Sequence, residues 1–160
     1  MSWKICRTID RWEGGLPATG GAIVLEKIWV YPVDFKFLPS GKWEYKKVEE
    51  IDTDFTVQDH TQNRQPLRQV EANEGRCTLG VILALDGNNA DAIKAMRQKS
   101  ETWHDYVCTG HLQTDEVCLA LDTTIMKTLE YPLLALTITE AECTNIMAPV
   151  LASSLTKSHV

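Results

Sequence analysis

The spacing of apolar residues changes once along the chain, near Asp86, and no fold built on a single period satisfies both halves. Before Asp86, large apolar side chains alternate with charged ones between short turn sequences. After it, apolar residues recur at intervals of three and four, the spacing of one helix face. The sequence therefore predicts an α+β fold. Residues 1–86 form a mixed β region of hairpins or sheet, and residues 87–160 form a three-helix bundle.

In the first part, Trp3, Cys6, Ile9 and Trp12 recur every third residue and predict the end of a helix over residues 2–13, broken at Gly14-Gly15. Residues 22–31 are rich in β-branched and aromatic types and predict a strand. The turn Leu38-Pro39-Ser40-Gly41-Lys42 joins two alternating segments into a predicted hairpin. Residues 54–58 and 67–72 predict shorter strands around a polar loop at residues 59–65, and residues 77–85 predict one apolar strand.

In the second part, Ile93, Met96, Trp103 and Val107 predict one helix face, ended by Gly110. Asn88 or Asn89 is expected to accept from free backbone N–H groups where that helix begins. Thr114 is expected to cap a second helix, with Val117, Leu121, Thr124, Ile125, Thr128 and Leu129 as its buried stripe and Pro132 as its stop. Thr139-Glu140-Ala141-Glu142 is a capping box for a third helix, whose face is Cys143, Ile146, Met147, Val150 and Leu151.

The chain has 160 residues and a formal charge of −6. Residues 86–160 carry five basic against ten acidic side chains, so most of the excess lies there. That balance argues against a nucleic-acid binder with a basic face, and any such contact must come from local patches. No run of about 18 apolar residues predicts a membrane span, and residues 1–7 have no secretory pattern. The five cysteines, Cys6, Cys77, Cys108, Cys118 and Cys143, have no Cys-x-x-Cys spacing and are expected to be reduced and mostly buried, in an intracellular protein of cytoplasm or nucleus.

Three constellations offer chemistry, each with a plainer reading. His104, Cys108, His111 and Cys118 are zinc-ligand types, but the break at Gly110 interrupts their series, so no metal site is expected. Asp52, Asp54, Asp59 and His60 are expected to be a solvated loop, with no partner motif to frame a reaction. Trp29, Tyr31, Phe35, Phe37, Trp43 and Tyr45 are a stacking platform for bases on one reading. The expected reading is a sheet face packed on a core.

The order of several short motifs resembles the non-LTR retroelement reverse transcriptases. Trp12-x-x-x-Leu16, Gly20-Gly21 and Glu26-Lys27 resemble the segment after the catalytic hairpin, and Thr78-Leu79-Gly80-Val81 resembles the primer-grip strand. The helices after Asp86 resemble the thumb, including residues 123–132 and 142–149.

The resemblance implies a fragment of an RNA-directed DNA polymerase covering the end of the palm, the primer grip and the thumb. It implies that Lys27 contacts nucleotide phosphates and that Leu79, Gly80 and Val81 approach the primer. Its glycine would let the primer backbone come close. The parent enzyme would use magnesium, nucleotides and an RNA or DNA primer–template. Two close carboxylates are needed to hold its metal ions, and this sequence contains no Asp-Asp pair. In the family that pair would precede Trp3, so the chain alone is expected to be inactive and to hold no cofactor. The rival expectation is a non-enzymatic interaction protein derived from a decayed or domesticated retroelement. The residue pattern implies no particular oligomeric state.

Overall fold

The computed structural model describes residues 24–52, 54–58 and 63–157, with Gly15, Thr19 and Gly21 as isolated positions. The helix expected at residues 2–13 lies outside them. The fold is α+β, with paired short strands first and three helical rods after. The chain divides into two compact units between Ala72 and Asn73. The hairpin of residues 76–83 thus belongs with the helices that follow it, and the change of period at Asp86 marks where those helices start.

The first unit contains β1 (Trp29–Val30), β2 (Phe35–Phe37), β3 (Trp43–Tyr45), β4 (Thr56–Gln58), β5 (Arg64–Pro66) and β6 (Arg68–Gln69). β2 and β3 are antiparallel, as are β4 and β5, while β1 and β6 run parallel. Phe55, Val57 and Leu67 form its core, with Leu25, Ile28 and Val30 packed against them.

That core explains a departure from expectation. Residues 22–31 are not one strand, because Leu25–Lys27 form a 3₁₀ turn and only Trp29–Val30 pair. Leu25 and Ile28, three apart, share a side of a 3₁₀ turn, whereas a strand would send them to opposite faces. Packing of both partly buried side chains against one core therefore selects the turn. The strand expected at 67–72 is likewise cut to Arg68–Gln69, and Arg64–Pro66, which takes in the last two residues of the expected loop, pairs with β4.

The second unit begins with the hairpin of β7 (Arg76–Thr78) and β8 (Val81–Leu83). This replaces the single strand expected at 77–85. Gly87 lies at φ 79° in the following turn, Asn88 Oδ1 accepts from the Ala90 N–H at 3.0 Å, and Asn89 Nδ2 donates to the Thr137 carbonyl at 2.5 Å. α1 spans Ala90–Thr109 and ends at Gly110.

The second rod is α2 (Thr114–Ala120), a π-helical segment (Leu121–Met126) and α3 (Lys127–Leu133). Gln113, not Thr114, is its N-cap, and Glu116 accepts from the Gln113 N–H at 2.8 Å. The Thr114 hydroxyl instead donates to the Lys157 carbonyl at 3.1 Å. The π segment follows from the apolar pattern. Val117, Leu121, Ile125, Leu129 and Leu133 repeat every four residues, a row that drifts about 40° per step around an α-helix. One wider π turn takes out part of that drift and returns Ile125 and Leu129 to the core. Thr123, Thr124 and Thr128 donate their hydroxyls to carbonyls four residues back, which loosens the helix there and leaves both Thr124 and Thr128 exposed.

α4 (Glu140–Lys157) carries the capping box expected at its start. Glu142 accepts from the Thr139 N–H at 2.7 Å, and the Glu142 N–H donates to the Thr139 hydroxyl at 3.3 Å. Met96, Ile125, Leu129, Ile146 and Val150 form the bundle core, with Ile93, Trp103 and Met147 packed on it. Leu151, expected on the buried face of α4, is exposed because Val150 already fills the contact and the next residue turns away.

α1 and α4 run parallel. Asn89 meets Thr137, Arg97 meets Asn145, His104 meets Pro149, and Lys157 meets Gly110, at a nearly constant offset along both chains. Pro149 sits inside α4 and has no N–H for the Asn145 carbonyl one turn back. The Arg97 guanidinium supplies the missing donor from α1 and also bonds Asn145 Oδ1 at 2.7 Å. Two buried serines keep their polarity within their own helices. Ser100 donates to Met96, and Ser153 donates to Pro149 and Val150.

The cysteines depart from expectation. Cys77, Cys108, Cys118 and Cys143 are free and exposed, and Cys6 lies outside the described residues. Val107 and Val117 take the inward positions of their turns, which rotates Cys108 and Cys118 outward. Cys143 belongs to the first turn of α4, before the helix reaches the core at Ile146.

Arg97→Ala is expected to destabilise the protein by about 2 kcal/mol in denaturant unfolding. In the Pro149→Ala background the loss should shrink, since alanine at that position restores a backbone donor to the Asn145 carbonyl; equal losses in both backgrounds would refute this role for Arg97. Hydrogen bonds from the Thr139 N–H, then from its hydroxyl, hold the Glu142 carboxyl below the usual range. Its contribution is present above the ordinary carboxylate pKa and lost as pH falls through the lowered value. Glu142→Gln should therefore flatten the acid limb of the stability profile.

Candidate nucleic-acid contact site

The Leu79-Gly80 turn is the most unusual backbone in the described residues. Register Thr78↔Val81 leaves two residues to close the hairpin, and both have positive φ, 51° at Leu79 and 85° at Gly80. This is the pattern of a type I′ turn, which favours Asn-Gly. Gly80 meets the demand without strain, but leucine does so at a cost of about 1 kcal/mol or more. The Leu79 side chain is 88% exposed, so no packing offsets that cost.

The turn is held from two sides. The Tyr131 hydroxyl of α3 donates to the Leu79 carbonyl at 2.9 Å, and its ring stands 3.6 Å from where a Cβ on Gly80 would lie. At the hairpin base the Gly75 N–H donates to Asp91 in the first turn of α1 at 2.9 Å. A Cβ at Gly75 would stand 2.7 Å from Ile82 and 2.9 Å from Asp91, so only glycine admits this approach. Val81 is buried and anchors the tip to the unit. The outcome is an exposed tip, tied at both ends, with an apolar side chain and a glycine whose missing side chain would face the Tyr131 ring.

Of the residues singled out from the sequence, Leu79, Gly80 and Val81 come together in this hairpin. Leu79 and Gly80 lie in the turn, which corrects their reading as part of a strand. Lys27 belongs to the other unit. It ends the 3₁₀ turn and is exposed, and its backbone N–H donates to Val24 at 3.0 Å. Sequence reasoning assigns no role to Tyr131; its one signal is an aromatic directly before Pro132, at a helix end.

The aromatic segment also departs from expectation. Phe35 pairs with Tyr45 and Phe37 with Trp43, all four on one face of the β2–β3 hairpin. That face is not packed on a core. Phe37 is 79% exposed, Trp43 55% and Phe35 43%. A two-stranded hairpin offers no second layer to cover it, and the core of this unit is built from β4 and Leu67 instead. On the other face Lys36 pairs with Glu44 at 3.0 Å and Glu50 at 3.4 Å. Glu44 raises the Lys36 pKa, and the Lys46 ammonium, 2.5 Å from Asp34, lowers that of the carboxyl.

A groove of about 460 Å³ lies between α1 and the π segment, with Trp103 and Ile125 at its floor and Lys99 and Tyr106 among its lining. His104 Nδ1 contacts the Pro149 carbonyl at 3.0 Å, so that nitrogen carries the proton, and Cys108 Sγ lies 3.7 Å from His104 Nε2. Among the described residues no three His, Cys, Asp or Glu side chains are grouped to hold a metal ion. Asp52 and Asp54 are exposed, while Asp59 and His60 lie outside the described residues. Among the described residues no helix is long and apolar enough to cross a membrane.

No protein-family model matches the chain, and no curated protein or solved structure shows significant similarity to it.

Leu79→Asn should raise stability by about 1 kcal/mol in denaturant unfolding, because Asn-Gly suits the turn and no buried contact is lost. A loss of stability would show that the leucine is held by packing.

Proposed function

We propose that this chain is the palm-end and thumb portion of a retroelement reverse transcriptase, and that it holds primer–template rather than performs the chemistry. The carrying observation is the Leu79-Gly80 tip. An exposed glycine at positive φ, clasped by Tyr131, gives a nucleic-acid backbone a close approach that a larger residue would block. The strained leucine beside it stands where asparagine would serve the fold better, which points to a contact. The hairpin leads directly into the helical bundle, in the order of primer grip and thumb that the motifs suggest.

In this reading Lys27 contacts nucleotide phosphates in the whole enzyme, and magnesium is held by carboxylates that this chain lacks. The bundle acts as a lever arm for the tip, since Tyr131 and Asp91 tie the hairpin to two different helices. The exposed Leu79 and the 90% exposed Leu134 favour a second reading, a protein-interaction module of retroelement origin.

The purified chain should not extend a primer with magnesium or manganese, and should bind a primer–template duplex that Gly80→Val releases. Incorporation above a no-protein blank, or duplex binding indifferent to Gly80→Val, would refute the proposal. Absence of duplex binding would favour the interaction module.

A further inference from the structure

The β2–β3 hairpin carries a second feature of different chemistry. The bonds from the Leu38 N–H to Lys42 O, at 2.7 Å, and from the Lys46 N–H to Asp34 O, at 2.9 Å, bracket the ladder. Phe37/Trp43 and Phe35/Tyr45 therefore occupy its non-hydrogen-bonded pairs, where opposing side chains come closest. Three rings brace one another. Trp43 stands edge-on to Phe35 at 5.1 Å and to Tyr45 at 5.5 Å, and Phe35 lies 5.2 Å from Tyr45. Phe37 is the most exposed of the four and joins no such ring pair among the described residues.

Charge distinguishes this face from an ordinary apolar patch. The chain as a whole carries −6, whereas residues 34–50 balance Lys36, Lys42, Lys46 and Lys47 against Asp34, Glu44, Glu49 and Glu50, so the hairpin escapes the acidic excess. Lys36 and Lys46 are engaged in ion pairs, which braces the strands. Lys42 and Lys47 are exposed and form no ion pair among the described residues. Lys42 adjoins Trp43 in sequence at the turn end, and Lys47 follows Tyr45 by two residues in extended backbone, so an exposed lysine flanks the aromatic row along the chain at each end, Lys42 from the strand position that alternates to the Lys36 and Glu44 side.

We propose that this face binds single-stranded nucleic acid, with bases stacking on Phe37 and Trp43 and phosphates meeting Lys42 and Lys47. Pre-braced rings flanked by exposed cations suit a ligand with repeating flat bases and backbone charge. Stacking accepts any base, so binding is tolerant of sequence and sensitive to salt. The proposal rests on this hairpin and not on the reverse-transcriptase reading.

The test is fluorescence anisotropy of the full chain with a labelled oligothymidylate of about 12 nucleotides. Phe37→Ala/Trp43→Ala should weaken binding about tenfold or more, while Phe37→Tyr/Trp43→Phe should retain it. Lys42→Ala/Lys47→Ala should lower the slope of log affinity against log salt by about 1.4. Circular dichroism of Phe37→Ala and of Lys42→Ala/Lys47→Ala should match the parent, since none of these side chains joins a ring pair or ion pair among the described residues, and Phe37→Ala alone should already weaken binding with the braced rings intact. Gly80→Val should leave oligothymidylate binding unchanged, which separates this proposal from the one above. Unchanged binding by the double alanine variant would overturn it. So would absence of binding by the parent chain, including the case where the face proves to join two copies and sedimentation shows the alanine variant to be monomeric.

Discussion

The bond between Arg97 and the Asn145 carbonyl governs the second unit. Proline inside a helix leaves one carbonyl without its donor, and an orphaned group near a helix interface is costly. A water molecule or a bend satisfies such a carbonyl elsewhere. Here a guanidinium from a neighbouring helix does so, and it reaches the Asn145 side chain with the same nitrogen. Pairing of this kind is directional. It sets which turn of α1 lies beside which turn of α4, a specification that the apolar core alone would leave loose. The contacts above and below, from Asn89 to Thr137 and from Lys157 to Gly110, keep the same offset.

Parallel packing of α1 and α4 leaves the middle rod to run back against them, and that rod positions the tip. Tyr131 reaches Leu79 only because α3 ends near the hairpin, and α3 presents Leu129 and Tyr131 in the right phase only after the π turn resets the four-residue repeat. An uninterrupted α-helix from Thr114 would drift by about 40° per four residues and carry Leu129 off the core. The π turn is thus a packing device whose effect reaches an exposed loop. Gly75 acts at the other end of the hairpin, where the absence of a side chain lets Asp91 bond the backbone directly.

Features decided by near neighbours were legible from residues alone. The capping box at Thr139, the stop at Gly110, the hairpin about Leu38–Lys42 and the face shared by Met96, Ile125, Ile146 and Val150 each depend on spacing within a few turns. Features decided by distant partners were not. Whether residues 77–85 form one strand or two depends on whether a leucine accepts positive φ, and propensity argues against that. Whether residues 22–31 extend or coil depends on Phe55, Val57 and Leu67, which lie far along the chain. The aromatic alternation at 35–45 showed a shared face, but not whether a second layer covers it. Tyr131 carries only the weak local signal of an aromatic before Pro132, because its role is a single hydrogen bond across 52 residues.

The exposed aromatic face and the strained leucine differ in what they imply about selection for the fold. Leu79 costs stability at a position where a small polar residue would relieve strain, so the fold alone gives no reason for it. The aromatic face is internally consistent: its rings contact one another, its cross-strand pairs occupy the close positions, and its opposite face is closed by Lys36 and Glu44. Those contacts explain why Phe35, Trp43 and Tyr45 can hold a two-stranded hairpin together. They do not explain Phe37, which adds a large exposed ring and joins no ring pair among the described residues. A mostly exposed ring at the end of a braced row, opposite Trp43 but in no ring pair among the described residues, is where an incoming flat group finds a free surface. For that reason Phe37, more than the three packed rings, separates a ligand platform from a hairpin that merely stabilises itself.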